Sequence, residues 1–182
     1  MSLPPLAIRI LLVLLVVAAS VFDIRKHRIP NWLTIAGVVL AVALNTFLFE
    51  MAGLWYSLKG LGLAFAIYFG LYLLRGMGAG DVKLMAGVGA AVGLYNWLGI
   101  LFLTAIFGGV AAVVLAASKG RIQRTFRNMW LMLMSLRQGR APYQDNPELD
   151  VGSDLALRLP HGVVIAAGTL AFLAAALIWA PR

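Results

Sequence analysis

The sequence predicts an all-α polytopic membrane protein with about six transmembrane helices and one helix in the cytoplasmic interface. Three observations indicate this fold. Of the 182 residues, 62% are hydrophobic and 12% are charged, and the mean hydropathy is +0.92, as is typical of polytopic membrane proteins. Apolar runs long enough to cross a hydrocarbon core of about 30 Å follow one another along the chain. The basic residues lie mostly between these runs, as the positive-inside rule predicts for the loops of a membrane protein. We predict that residues 1–182 form one membrane domain.

The first apolar run extends from Pro4 to Phe22 and is long enough to span a bilayer. A cleaved signal peptide is the rival interpretation, because small residues stand near the end of the run. A basic cluster from Arg25 to Arg28 follows at once. Positive charge there holds this end of a retained span on the cytoplasmic side, so we predict a transmembrane helix.

The second and third predicted spans run from Trp32 to Phe49 and from Leu54 to Leu74. Glu50 and a predicted turn at Gly53 separate them. The third span is followed by a glycine-rich bend over residues 76–80, which opens onto another apolar run. Glycines permit backbone turns that are closed to other residues, and they allow a second chain to approach closely.

Residues 82–117 contain a single charge, Lys83. At about 1.5 Å per residue, one helix of this length is too long for one crossing. We therefore predict a break near Gly93, Asn96 and Gly99, which leaves a short span near 82–95 and a full span near 97–117.

The long polar segment, residues 118–160, is predicted to be a cytoplasmic loop. Its first half is basic, and apolar residues recur in it at helical spacing, which indicates a helix lying in the membrane interface. Its second half is predicted to be flexible. It contains four acids, namely Asp145, Glu148, Asp150 and Asp154. The last apolar run, Val163 to Trp179, completes the six spans.

The distribution of lysine and arginine sets the predicted orientation. Twelve of these fifteen residues fall in or beside the loops after spans one, three and five. These loops are therefore predicted to be cytoplasmic, with both termini outside the cytoplasmic membrane. The same rule accounts for the net charge of +8, so nucleic-acid binding is not expected.

The composition excludes several classes of site. The chain contains no cysteine and two histidines, which excludes disulfides, cysteine-type zinc sites and thiol catalysis, and makes a histidine metal site improbable. We expect no metal and no cofactor.

Three acids precede position 145, namely Asp23, Glu50 and Asp81. In the predicted topology Glu50 lies on the outer side, whereas Asp23 ends span one and Asp81 begins span four at the cytoplasmic face. Ionisable groups at membrane depth are costly and usually serve a function. The helix dipole favours the anion at Asp81 and disfavours it at Asp23. This difference suits an acid and base pair.

Each of these residues also has a simpler interpretation. Asp23 can form a surface salt bridge with Arg25 or Lys26, and Asp81 can be an N-cap on an ordinary loop. Lys83 is favoured as a positive membrane anchor over a role in the site. The two histidines, His27 and His161, are favoured as interface residues over ligands or bases.

Three motifs in this order resemble those of the prepilin peptidases, which are GxGD-type intramembrane aspartyl proteases. The first is an aspartate at the end of span one followed by Ile29-Pro30-Asn31. The second is Gly78-Ala79-Gly80-Asp81 with Lys83, and the third is Pro160-His161-Gly162-Val163. The likeness covers nearly the whole chain and is close to the short form associated with tight-adherence (Flp-type) pilus systems.

The resemblance implies removal of the basic leader from type IV-like prepilins and pseudopilins at the cytoplasmic membrane, by cleavage after a glycine just before the hydrophobic stem. It places the catalytic pair on Asp23 and Asp81. It also implies residues that bind substrate or support the site, namely Gly78, Gly80, Lys83, Pro160 and Gly162. The long members of the family carry cysteine pairs and also N-methylate the new terminus. Since this sequence has no such cysteines, the resemblance does not extend to methyl transfer.

Two other classes of function fit the same acids. A small ion- or proton-coupled transporter would use them as a relay, although transporters usually place such groups near the midplane and often contain repeats. A pilus-assembly scaffold without enzymatic activity is the third alternative. Cleavage of a prepilin by the purified protein separates the three.

Overall fold

The computed structural model describes residues 3–137 and 159–179, and all the regular structure there is helical. Five helices follow in chain order: α1 Leu6–Lys26, α2 Asn31–Leu73, α3 Ala79–Ser118, α4 Ile122–Arg137 and α5 His161–Trp179. Four of them, α1, α2, α3 and α5, are long and apolar enough to cross a membrane. The prediction of an all-α polytopic membrane protein is confirmed.

Helices α2 and α3 are each interrupted by non-helical backbone. In α2 the break falls at Phe49 and Glu50, and in α3 it falls at Gly93, where φ is +70°. The sequence predicts breaks at Glu50 and near Gly93. At Gly53, however, the predicted turn is absent, because the helix has already resumed there.

The chain reverses direction at each break. Residues before the α2 break run parallel to the first half of α3, as the contact between Asn31 and Lys83 and that between Asn45 and Ala90 show. Residues after the α2 break run antiparallel to the same half-helix, since Gly60 packs on Gly89. The second half of α3 lies antiparallel to α5. The four long helices thus form six alternating segments, while the count of six membrane crossings stays a prediction.

The first half of α3 is the centre of the bundle. Every residue from Leu84 to Gly93 is buried, and many of them are alanine or glycine. Small side chains let neighbouring helices approach closely, as is common where helices pack in membranes. Large apolar side chains such as Phe47, Phe102 and Ile178 point outward instead, with exposed fractions of 85%, 67% and 76%. An apolar exterior around a packed centre suits a bilayer.

Helix α4 occupies the basic half of the predicted cytoplasmic loop. Phe126, Met129 and Trp130 are exposed on it, together with Arg124 and Arg127. Such a helix fits the predicted interfacial position, which stays a prediction. The acidic residues 145–154 lie outside the described residues.

Candidate active site

Two adjacent cavities meet at the end of the bundle where α1 ends and α3 and α5 begin. The larger has a volume of about 500 Å³ and the smaller about 460 Å³. Asp23 and Asp81 line both of them. The structure therefore brings together two carboxylates that are 58 positions apart in the sequence. Glu50 lies in the break of α2, at the opposite end of the bundle from the two aspartates.

Asp23 stands in the last turn of α1 and is only 8% exposed. Its Oδ2 accepts a hydrogen bond of 2.8 Å from the backbone N–H of Gly162, in the first turn of α5. The hydroxyl of Ser20 lies 3.2 Å from the carbonyl oxygen of the same glycine. The Lys26 ammonium lies over the Phe22 ring. The carboxylate of Asp23 is thus held inside the bundle by an amide.

This contact changes the electrostatic argument made from the sequence. Asp23 does lie at the C-terminus of its own helix, where the dipole disfavours an anion. Its carboxylate, however, sits at the N-terminus of α5, where an anion is stabilised. The expected difference between the two acids is therefore reduced, because each carboxylate faces the N-terminus of a helix.

Asp81 is the third residue of α3 and is half-buried. Its Oδ2 accepts a hydrogen bond of 3.2 Å from the backbone N–H of Gly78, the N-cap residue. Asp81 is therefore not the N-cap residue of the simpler interpretation; it is the third helical residue, and its side chain reaches back to cap the N–H of Gly78. The same side chain also lines both cavities and lies within electrostatic reach of Asp23 and His161. Capping and exposure to the cavity occur together.

Of the remaining predicted site residues, four lie at the cavities or contact Asp23, and one does not. Gly78 and Pro160 line the cavities, and Gly162 supplies the amide that holds Asp23. Gly80 lines the smaller cavity and packs against Ile29. Lys83 is not among the lining residues of either cavity; its Nζ donates a 2.8 Å hydrogen bond to Asn31 Oδ1. Lys83 thus ties the start of α3 to the start of α2.

Three further residues at the site were not singled out for it by the sequence. His27 lines both cavities, and His161 lines the larger one. Tyr68 also lines the larger cavity, is 3% exposed, and packs its ring edge-on against Trp97 at 6.3 Å. His27 stands between Asp23 and the first motif's Ile29, and His161 lies within the third motif, which was a usable signal. Tyr68 lies inside an apolar run and had no such signal.

No group of three or more histidines, aspartates or glutamates within residues 3–137 and 159–179 is placed to hold a metal ion. Within the same residues, the ionisable side chains that line the two cavities belong to Asp23, Asp81, His27, His161, Tyr68 and Arg28.

Comparison with known proteins assigns the chain to a family. The model of the type IV leader peptidase family matches residues 10–113, a stretch that includes both aspartates and all of the glycine-rich bend. The chain belongs to the type IV leader peptidase family. The prepilin leader peptidase/N-methyltransferase of Escherichia coli (strain K12) is 30% identical over 131 residues, covering 66% of this chain and 57% of that relative. No solved structure matches the chain.

The chain thus spans a little over half the length of this curated relative. The family match ends at residue 113, before α5. The glycine that holds Asp23 is therefore supplied by a helix beyond the matched stretch. The family assignment confirms the resemblance to the prepilin leader peptidases. The Flp-type subtype, the aspartic type of the peptidase and the roles of individual residues are taken up as proposals.

Proposed function

We propose that this protein is a membrane-embedded aspartyl endopeptidase that removes the basic leader from Flp-type prepilins at the cytoplasmic face of the bacterial inner membrane. The observation that carries the proposal is the placement of Asp23 and Asp81 on the same two cavities. Membership of a peptidase family supports it. Pseudopilins with the same leader and stem belong to the same substrate class.

The proposed chemistry uses the two aspartates as a unit. A water molecule held between them loses a proton to the ionised carboxylate as it attacks the scissile carbonyl carbon. The protonated carboxylic acid donates a hydrogen bond to the developing oxyanion, and a proton then passes to the leaving amine. The N–H groups of Gly78 and Gly162 hold one oxygen of each carboxylate. The second oxygen of each is left for water and substrate.

The cavity walls suit a substrate with two chemically different halves. The larger cavity extends along apolar residues of α2 and α3, including Leu71, Leu101 and Ala105. The smaller is bounded by the α1–α2 loop and the glycine-rich bend. We propose that the hydrophobic stem lies along the first and the leader along the second. An extended backbone at the cut can pair with the glycine bend.

The test is incubation of the purified full chain with a Flp-type prepilin that carries its leader, followed by mass measurement of the products. The expected products are a free leader and a mature pilin cut after its glycine. Asp23→Asn and Asp81→Asn should reduce cleavage to background, whereas Glu50→Gln makes the same chemical change at the other end and should cleave normally. Cleavage by Asp81→Asn but not by Glu50→Gln would refute the aspartyl pair, and absence of cleavage by the unsubstituted protein would favour the transporter or scaffold alternatives.

The proposal covers leader cleavage without methyl transfer, because this sequence lacks the cysteine pairs associated with the long members. The same mass measurement tests that limit when the methyl donor S-adenosylmethionine is supplied. A pilin with an added N-terminal methyl group would contradict it.

A further inference from the structure

The half-helix that carries Asp81 ends abruptly at the other side of the bundle. Helix α3 is broken at Gly93, so the last carbonyl groups before the break have no partners in the next helical turn. Within an apolar bundle, an unpaired carbonyl is costly. Those of Ala90, Ala91 and Val92 must therefore be satisfied from elsewhere.

Two side chains of α2 satisfy these carbonyls. The buried Asn45 donates from Nδ2 to the carbonyl oxygens of Ala90 and Ala91, at 3.0 and 3.2 Å. The hydroxyl of Tyr56 donates to the carbonyl oxygen of Val92. The two donors lie on opposite sides of the break in α2, one on each of its antiparallel segments. We call Asn45 and Tyr56 the α3 clamp.

Close packing restrains the first half of α3 in addition to these hydrogen bonds. Gly93 adopts a left-handed backbone conformation, and a Cβ there would overlap the ring of Tyr56. One turn earlier, Gly89 packs its backbone directly against that of Gly60, where an added Cβ would strike the carbonyl oxygen. Such close packing leaves the half-helix little freedom to shift while the clamp is in place.

We infer that Asn45 and Tyr56 are positioning residues that set the position of Asp81. The inference rests on the proposed function for its catalytic readout. Asp81 and Ala90 are joined by one continuous helix, and their separation along its axis is about 14 Å at about 1.5 Å per residue. A helix transmits a displacement at one end to the other.

Loss of the clamp offers the half-helix a specific alternative. Because the contact between Gly60 and Gly89 leaves no room for a larger side chain, the freed end of the half-helix can tilt about that contact but cannot slide by a whole residue. Asp81 lies about 12 Å from the contact along the axis, so a tilt of about 5° moves it by about 1 Å. That change shifts the carboxylate relative to Asp23. A misplacement of about 1 Å can cost on the order of a hundredfold in rate.

The test compares two clamp variants with two matched controls. Asn45→Ala removes two hydrogen bonds. Tyr56→Phe removes the bond donated to Val92 and the weak 3.5 Å bond accepted from Asn96 Nδ2, while keeping the ring on Gly93. Thr46→Val and Ser57→Ala are the controls, because each removes a buried hydroxyl with no hydrogen-bond partner among the described residues. Each control residue directly neighbours a clamp residue in α2.

Prepilin cleavage is measured on the unlabelled clamp and control variants, and a distance measurement is made on the same variants carrying a pair of spin labels. We expect kcat to fall about tenfold or more for Asn45→Ala and severalfold for Tyr56→Phe, with KM within about twofold of the original protein. The controls should match the original protein. Because the chain has no cysteine, nitroxides at Ala79→Cys and Arg25→Cys report the position of the α3 start relative to α1. Their distance distribution should shift or broaden in both clamp variants.

Two results would overturn the inference. If the distance distribution is unchanged in both clamp variants, the clamp does not position Asp81, even if the variants are less stable than the original protein. If the distances change while kcat stays that of the original protein, the position set by the clamp does not matter for catalysis. If the unsubstituted protein cleaves no prepilin, the proposed function fails, and the distance measurement still decides the structural half.

Discussion

The contact between Gly162 and Asp23 gives the sharpest prediction about geometry. The Gly162 N–H lies 2.8 Å from Asp23 Oδ2. A methyl group added at position 162 would lie 3.0 Å from both Cβ and Oδ2 of Asp23, where 3.4–4 Å is ordinary contact. In Gly162→Ala, the carboxylate must therefore retreat by roughly half an ångström, since atoms at such distances repel steeply.

The magnitude follows from this displacement. If a misplacement of about 1 Å costs on the order of a hundredfold, half of that costs about tenfold in kcat, or about 1.4 kcal/mol in the activation free energy. KM should change little, because the cavity walls stay in place. Gly162→Val adds more bulk at the same point and should lose more activity. Steady-state cleavage of a labelled prepilin by detergent-purified protein measures both constants.

Gly62→Ala is the matched control, because a Cβ at that helical position meets nothing within 4 Å. It should cleave at the original rate. The reasoning is refuted if Gly162→Ala remains within about twofold of the original kcat while Gly162→Val is equally active. It is also refuted if the Gly62→Ala control loses as much activity as Gly162→Ala, since the loss would then not depend on Asp23.

Three further predictions test the site, the topology and the acidic segment. The double variant Asp23→Asn with Asp81→Asn should be no worse than either single variant, as expected for residues that act as a unit; additive losses in kcat would contradict a shared step. Ser118 is exposed at the cavity end of the bundle, and a cysteine there should react with an impermeant thiol reagent only after the inner membrane is opened. A cysteine at Met51 should react from outside. Reversed labelling would mean that the predicted topology is inverted. Ser135 is a poorer reporter, because it is buried. Neutralising the four acids of residues 145–154 together should raise KM for the basic-leader substrate more at low salt than at high salt, since exposed charges are screened; an unchanged KM at low salt would make the segment a simple connection.

Several features could be predicted from the sequence because they depend on local properties of the chain. Long apolar runs determine where helices form. The break in α2 coincides with Glu50, the lone acid between two such runs, and the break in α3 coincides with Gly93, which needs a positive φ. The placement of Asp23 and Asp81 at the ends of helices follows from the same runs. Since both helix ends were assigned to one face, a shared site for the two acids could be predicted as well.

Other features were decided only by the tertiary structure. The amide partner of Asp23 is 139 residues away in the chain, and Lys83 reaches Asn31 rather than Asp81. Tyr68 faces the site, while Asn45 and Tyr56 cap a broken helix. None of these contacts has a signature in an apolar run, because hydropathy indicates that a segment is helical but not how it is rotated about its axis. In this bundle, rotation is set by close packing at small residues such as Gly60 and Gly89, and those contacts exist only once the helices have assembled.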